Sequence, residues 1–387
     1  MKITLSEKHI KLRLVLTIFF LIVAVAAFTI GVVSIGKKSS GYQTIQAKTD
    51  AEALTYNNAV TFRYYLEGKS NQIKRSAREL EAVYTPILAS AYKRLDANNV
   101  YTGEVSIGLI NRNMGSPVSV SPELYAVLKD AYSKTLENRG YNMFAGALFA
   151  EWESIQILDE PDEFDPVNND FQASRIAAIA AVVSDLSNFK LEFLDDVNCT
   201  VRFSVSKEYQ DFCKDYEIQA YALDLNNLKD AYMLAMMADD LVNAGYRFGH
   251  MSTAQGMVVN TSERGSLGYS MYTLEGGNEI AYATIDIDGV FCSATFTAFG
   301  MGSDYGYDIE SNGKKLYRHL YFDVRTGEFA DILMSATIIS HDNDIVENVY
   351  QSIIMNTLRT EEAVASYAAS LEKSGRIVSY ILQSASD

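Results

Sequence analysis

Three histidines could take part in acid–base chemistry near neutral pH, because imidazole is the side chain that ordinarily titrates in that range. They are His250, His319 and His341; the fourth, His9, precedes a long apolar segment. A serine hydrolase would need one of them beside a serine and a carboxylate, and nothing in their spacing indicates that arrangement. Taken alone, each is more typical of a surface or strand-end residue than of a catalyst.

Carboxylates are concentrated in residues 159–170, DEPDEFDPVNND, which hold six acids in twelve residues. Such a segment could attract a cation, but it lacks the glycine and the alternate ligand spacing of a calcium-binding loop. We interpret it as a solvated loop.

Other chemical motifs are missing from the sequence. It has no Walker phosphate-binding loop, no GxGxxG after a strand, no HExxH, no GxSxG and no paired CxxC. The three cysteines are far apart and odd in number, so at most one disulfide is possible. We expect Cys199, Cys213 and Cys292 to be small buried hydrophobic residues.

Composition indicates a folded protein with a full hydrophobic core. The chain has 387 residues, of which 48% are hydrophobic and 21% charged. Its 33 Lys and Arg against 49 Asp and Glu give a net charge of −16, which repels phosphate backbones. Nucleic acid is therefore not an expected partner.

Charge and hydropathy set the N-terminus apart from the rest of the chain. Residues 14–36 form an uncharged run of 23 residues, long enough to cross the ~30 Å hydrocarbon core of a bilayer as a helix. Four Lys or Arg precede this run and two follow it, which favours a cytoplasmic N-terminus at residues 1–13. A cleaved signal peptide is the alternative, since Ala24-Val25-Ala26 is a small-x-small sequence. We predict a single-pass protein of the cytoplasmic membrane with an extracytoplasmic body.

The elements that would position any site belong to an α+β domain. Residues 37–56 are mostly polar and predict a stalk, and the folded body follows at 57–387. Helices are predicted at 71–95, 122–136, 173–186, 226–244, 345–358 and 360–373. Strands are predicted at 60–66, 189–193, 200–205, 218–223, 256–260, 270–274, 280–287, 290–297 and 335–340. Runs of strands with segregated helices indicate a largely antiparallel sheet.

The order of several short segments resembles that of the ApbE-type FAD:protein FMN transferases. The helix start at 119–124, SVSPEL, is similar to the family's VSPEL, and 222–232, ALDLNNLKDAY, is similar to its ALDLGGIAKGY. Thr253–Gly256 occupies the place of its NAGG, and Asp323-Val324-Arg325-Thr326-Gly327 that of its DPRTG. The resemblance covers roughly residues 57–372 and implies an ApbE-like, T-fold-related domain.

The resemblance also implies a function, cofactors and a site. Family members bind FAD and magnesium and transfer FMN to a Ser or Thr of an acceptor protein with release of AMP. Carried over to this chain, the catalytic base would be His319 or a neighbour. The cofactor would contact Asp224, Lys229, Gly256, Asp323 and Arg325. The metal would be held by Glu347 and Asp344.

The departures from the family pattern fall on its functional residues. Asn226-Asn227 replaces Gly-Gly, where side chains would crowd the approach to phosphate, and Asp230 replaces the lysine. The family's histidine aligns with Leu320, one residue from His319. Two interpretations therefore compete: a working flavin transferase, or a degenerate, catalytically inactive flavin- or protein-binding module at the membrane. An unrelated sensor or adhesion domain is a third.

Two further expectations concern this region. The basic cluster Lys314, Lys315, Arg318, His319 and Arg325 would border the pocket and attract an anionic substrate. Residues 323–327 are also a good β-turn sequence, which could be their whole role, and Glu347 is more typical of a solvated helix residue than of a ligand.

Overall fold

The computed structural model describes residues 40–48, 59–275, 278–299, 306–311, 313–342 and 344–383. The predicted cytoplasmic segment 1–13 and membrane-spanning helix 14–36 lie outside these residues. Within them, no helix combines the length and the apolar character needed to cross a bilayer.

A seven-stranded antiparallel sheet forms the centre of the body, with strand order β1-β2-β6-β7-β10-β13-β14. Its strands are β1 (Gly41–Ile45), β2 (Thr61–Leu66), β6 (Gly249–Ser252), β7 (Met257–Asn260), β10 (Phe291–Thr297), β13 (Leu333–Ser340) and β14 (Ile377–Leu382). All eight residues of β13 are buried, because the strand is paired on both edges and packs against both the helix Ile345–Met355 and the strand Ser266–Glu275.

Smaller sheets carry the remaining strands of the described residues. One contains β3 (Pro117–Ser119), β5 (Thr200–Val205) and β4 (Phe189–Asp195) in that order. Two hairpins complete the set, β8 (Ser266–Glu275) with β9 (Asn278–Asp288) and β11 (Tyr307–Ser311) with β12 (Lys314–Arg318). The α+β class and the largely antiparallel sheet predicted from sequence are confirmed.

Helices surround the sheet rather than alternating with its strands. They are α1 (Ser70–Leu95), α2 (Ile107–Arg112), α3 (Pro122–Leu136), α4 (Gly146–Gln156), α5 (Asp170–Ser184), α6 (Lys207–Asp215), α7 (Lys229–Asn243), α8 (Ile345–Met355) and α9 (Glu361–Lys373). Helix α8 is buried along almost its whole length and packs against β10, β13 and α7, while α1 packs against α7. The central helices α7 and α8 therefore tie the sheet to the outer helices.

Local capping explains where several helices begin. Ser121 accepts a hydrogen bond from the Leu124 N–H at 3.2 Å, with Pro122 as the first helical residue, as the sequence predicts. Asp344 caps α8 in the same way by accepting from the Glu347 N–H at 3.0 Å. The boundaries of α3 and α8 are thus fixed by side chains next to the ends.

Two secondary-structure predictions are corrected by the structure. Gly41–Ile45, assigned to a stalk, forms β1 and pairs antiparallel with β2. Ile218–Leu223, predicted as a strand, is irregular, and its Ala222 and Leu223 carbonyls accept from the Gly146 N–H and the Asn111 side chain. These backbone groups bind neighbouring loops and helix ends instead of a strand.

Candidate functional site

A polar cleft lies between α4, the irregular segment before α7, the first turn of α7 and the turn between β6 and β7. Its volume is about 280 Å³, just below the ~300–1,000 Å³ usual for small-molecule sites. The side chains that matter chemically are Glu153, Asp224, Lys229, Asp230, Gln255 and Leu320. Two sequence-predicted cofactor contacts, Asp224 and Lys229, are therefore brought together here.

Negative charge dominates the cleft. Burial raises the pKa of Asp224 and that of Asp230, although the charge of Lys229 works in the opposite direction for both. Burial, followed by the charge of Asp224, also raises the pKa of Glu153. Raised carboxyl pKa values mean that this environment disfavours negative charge, and the diphosphate of FAD would bring more of it. The cleft therefore does not fit that group.

Asn226 and Asn227 both line the cleft, and hydrogen bonds fix the positions of their side chains. Asn226 adopts a left-handed backbone with φ of 49°, a conformation that asparagine tolerates better than most residues. Its side-chain NH2 donates to the backbone oxygens of Asn142 and Asp224, each at 3.1 Å. Asn227 donates to the Leu320 carbonyl at 2.8 Å. Both amides are thus engaged in holding the cleft walls together.

Leu320 and His319 occupy different surroundings although they are neighbours in sequence. Leu320, which the sequence resemblance aligns with the family's histidine, lines the cleft. The His319 ring instead packs edge-on against Phe296 and Phe329, with centroids 4.7 and 4.9 Å apart. Within the described chain, His319 is not among the cleft's lining residues.

The pKa and the hydrogen bonding of His319 make it a poor general base. Burial and then the charge of Arg318 lower its pKa to about 3, so the ring is neutral at physiological pH. Its Nδ1 accepts a hydrogen bond from the Tyr321 N–H at 3.0 Å, which places the ring proton on Nε2. The one basic nitrogen is therefore already occupied.

The other two histidines lie elsewhere. His250 is buried on β6 and packs against Tyr42 with a centroid distance of 5.1 Å. His341 is exposed after β13, with Nδ1 3.0 Å from the Val290 carbonyl oxygen. Neither lines the cleft in the described part of the chain.

Gly256 forms the tight turn before β7 beside the cleft. Its φ is +79°, and a Cβ here would meet the Thr295 carbonyl oxygen at 2.6 Å. The residue is needed for close approach of two backbones, while its neighbour Gln255 lines the cleft.

Asp323 and Arg325 form a closed turn. The Arg325 guanidinium binds the Asp323 carboxylate through two hydrogen bonds of 2.8 and 2.7 Å, and the Gly327 N–H donates to the Asp323 carbonyl at 2.7 Å. The Trp152 indole N–H donates to the Gly327 carbonyl at 3.0 Å. The β-turn interpretation accounts for all these contacts, and neither Asp323 nor Arg325 lines the cleft within the described residues.

The predicted metal ligands are already engaged. One Glu347 oxygen accepts from the Gln351 amide, and the other lies 3.3 Å from the Lys134 ammonium. The Asp344 carboxylate caps α8. No group of three or more His, Cys, Asp or Glu side chains in the described residues is arranged to hold a metal ion. A magnesium ion, which prefers several free oxygen ligands, does not fit this donor set.

The predicted basic cluster is dispersed and mostly neutralised. Lys315 pairs with Asp308 at 2.8 Å on the β11–β12 hairpin. Arg318 is buried and pairs with the fully buried Asp165 at 2.7 Å and with Asp331 at 3.2 Å. Arg318 lines a second pocket of about 310 Å³, beside Trp152 and Gly327, and not the polar cleft.

Sequence reasoning missed Lys134, which belongs to α3. Its ammonium lies 3.1 Å from Asp130 and 3.3 Å from Glu347. Burial works against the charge, but these two carboxylates outweigh it and raise the pKa of Lys134. The i,i+4 spacing of Asp130 and Lys134 was a visible signal for half of this cluster.

Three solved structures have the same architecture, and each aligns with about nine-tenths of this chain. The ApbE protein of Thermotoga maritima superimposes with a TM-score of 0.59 at 14% identity, covering 88% of this chain and 94% of its own. A mutant of the flavin transferase ApbE of Vibrio cholerae gives 0.55 at 14% identity, covering 89% and 95%. The chain has the ApbE fold. A third structure, the apo flavinyl transferase ApbE of Pseudomonas stutzeri, gives 0.51 at 14% identity, covering 90% and 92%.

The ApbE fold confirms the resemblance found in the sequence and removes the interpretation that its order of landmarks is a coincidence. No family model matches the sequence. No curated protein matches it either. Similarity to ApbE proteins is thus carried by the fold, with strong divergence of the side chains.

The cleft predicts a stability change for Asp230→Asn. Burial raises the pKa of Asp230 in the folded state, so the ionised carboxylate destabilises the fold. This cost in the free energy of unfolding is absent below the unfolded-state pKa of ~3.9 and grows as the pH rises through the folded-state pKa. We expect the free energy of unfolding to rise by about 1 kcal/mol at pH 7 and the gain to shrink toward pH 4.

Urea unfolding at the two pH values measures this difference. Asp239→Asn on the exposed side of the same helix is the matched control and should change stability by less than about 0.5 kcal/mol. A loss of stability in Asp230→Asn at pH 7 would show that the ionised carboxylate stabilises the cleft.

Proposed function

We propose that this chain is a membrane-anchored, extracytoplasmic ApbE-like protein that has lost FMN transfer and works as a protein-binding module. Its fold neighbours are named flavin transferases, so a flavin-transferase-like origin is the starting point. The observation that supports this proposal is that Leu320 and Asp230 both line the cleft. The sequence resemblance aligns them with the family's histidine and lysine. A leucine cannot accept a proton, and a carboxylate repels the phosphate that the ammonium would attract.

The loss of transfer is tested by titrating the full-length protein with FAD and magnesium, adding an acceptor peptide that contains Ser and Thr, and measuring AMP. We expect no AMP release and no effect of magnesium on FAD fluorescence. Because charge is the proposed obstacle, Asp230→Lys should bind AMP or FAD more tightly than the wild type. Asp239→Lys, which adds the same charge outside the cleft, is the control. Stoichiometric, magnesium-dependent AMP release by the wild type would overturn this proposal.

Protein binding is favoured over flavin binding by an exposed surface that we call the acidic ridge, residues 157–171. Eleven large hydrophobic side chains are exposed in the described residues, and five of them lie in this short stretch. They are Ile157, Leu158, Phe164, Val167 and Phe171. Five exposed carboxylates alternate with them, none within salt-bridge distance of a Lys or Arg in the described chain: Asp159, Glu160, Asp162, Glu163 and Asp170.

The acidic ridge is anchored by hydrogen bonds to the rest of the fold, and such anchoring lowers the entropy cost of binding. Asp165, the buried acid in this stretch, accepts hydrogen bonds from Arg318 and Tyr307, both at 2.7 Å, and from the Val167 N–H at 2.9 Å. Asn168 and Asn169 donate to the Asp162 and Glu163 carbonyls. The solvated loop expected from sequence is thus exposed at its other acids and anchored at Asp165.

Charge complementarity favours a basic, partly apolar protein segment as the partner. A protein segment with apolar side chains between Lys or Arg residues would cover the hydrophobic side chains and offset the five free carboxylates. A second copy of this acidic chain would place like charges against each other.

Binding is tested with a labelled peptide in which Phe and Leu alternate with Lys, using fluorescence anisotropy on the full-length protein. Phe171→Ser should weaken binding at least about tenfold, and added salt should weaken it further. Val197→Ser, at a 90% exposed side chain on another loop, should leave it unchanged. Equal affinity for a peptide with Glu in place of Lys, or wild-type binding by Phe171→Ser, would contradict the proposal.

Anchoring and export are proposed from residues 14–36 and the charges that flank them. Alkaline phosphatase fused to the C-terminus should be active, because this reporter folds only outside the cytoplasm. Green fluorescent protein fused at the same place should be dark. A fluorescent C-terminal fusion with inactive phosphatase would place the body in the cytoplasm.

A further inference from the structure

We infer that Lys134 is the resident cation of the Glu347 site and takes the place of a divalent metal ion there. The inference concerns the site that the sequence assigned to magnesium. It holds whether or not the cleft accepts a flavin.

Geometry gives Lys134 two carboxylate partners from different helices. Its ammonium lies 3.1 Å from Asp130 on α3 and 3.3 Å from Glu347 on α8, and 5.2 Å from the Tyr350 ring centroid. The side chain is only 11% exposed, whereas those of Asp130 and Glu347 are 46% and 27% exposed. A compact ammonium with three donors suits this position, since it can bind both acids at once.

Neighbouring groups occupy the remaining oxygens of the two acids. Tyr232 donates to the second Asp130 oxygen at 2.6 Å. Gln351 donates to the second Glu347 oxygen and accepts in turn from the Tyr367 hydroxyl. A metal ion would have to compete with these donors and with the ammonium for oxygens that all have a partner, which disfavours its binding.

Charge arithmetic leads to the same conclusion. Two carboxylates and one ammonium leave a single negative charge, and a divalent ion added beside Lys134 would lie next to another cation. Removing the ammonium while keeping the two acids would instead leave a pair of negative charges a few ångströms apart. Such a pair attracts a divalent cation, so the structure predicts a gain of metal binding when Lys134 is lost.

The test compares thermal unfolding of full-length variants with and without Mn2+. The wild type should show no Mn2+-dependent shift of Tm. Lys134→Gln, which keeps a hydrogen-bond donor but loses the charge, should unfold at a lower temperature and gain a Tm increase of a few degrees with Mn2+. Adding Glu347→Gln to that variant should abolish the gain.

Lys129→Gln is the matched control, because Lys129 lies on the same helix but pairs with Asp196 at the surface. It should gain no response to Mn2+. If Lys134→Gln does not fold, the wild type is titrated with Mn2+ and the NMR signal of the Lys134 side chain is followed. A Mn2+ ion bound to Glu347 would broaden this signal, because the two side chains are 3.3 Å apart, and we expect no such broadening. A wild-type response to Mn2+ that Glu347→Gln removes, or a Lys134→Gln variant indifferent to Mn2+, would overturn the inference.

These readouts separate the inference from the proposed function. AMP release by the wild type would contradict the proposed loss of transfer but would not affect the conclusion drawn from the Mn2+ measurements. A Glu347-dependent Mn2+ response would contradict the role of Lys134 without requiring any flavin chemistry.

Discussion

The Lys134–Glu347 ion pair is the constraint on which the chemistry of this protein depends. It joins α3 to α8, and α8 in turn covers β10 and β13 at the centre of the sheet. Breaking a half-buried pair by removing one partner leaves the other charge unsatisfied, which is costlier than never having had the pair. In α8, the Glu347 carboxylate that could have bound a metal ion instead links this helix to α3.

The cleft is held together by contacts that belong to the fold itself. Its walls are joined by backbone and amide contacts, such as Asn227 to the Leu320 carbonyl, that do not depend on a ligand. Asp230 and Leu320 line the cleft, and the sequence resemblance aligns these two residues with the family's lysine and histidine. The fold shared at 14% identity is therefore maintained by packing and backbone contacts that many different side chains can satisfy.

The sequence predicts elements whose signals are local and misses those that depend on distant partners. The Ser121 cap and the β-turn at 323–327 are encoded within a few residues and appear as predicted. Ile218–Leu223 has strand-like residues, but its carbonyls bind Gly146 and Asn111, so tertiary contacts override the propensity. Lys134 and Glu347 lie far apart in the chain, and only the packing of α3 near α8 brings them together.

Anomalous diffraction from crystals of the wild-type protein grown with Mn2+ and FAD is the most direct measurement. The account predicts no manganese peak at Glu347, with the Lys134 ammonium still between Asp130 and Glu347 and no diphosphate in the cleft. A manganese ion bound to Glu347, with Lys134 displaced, would contradict it.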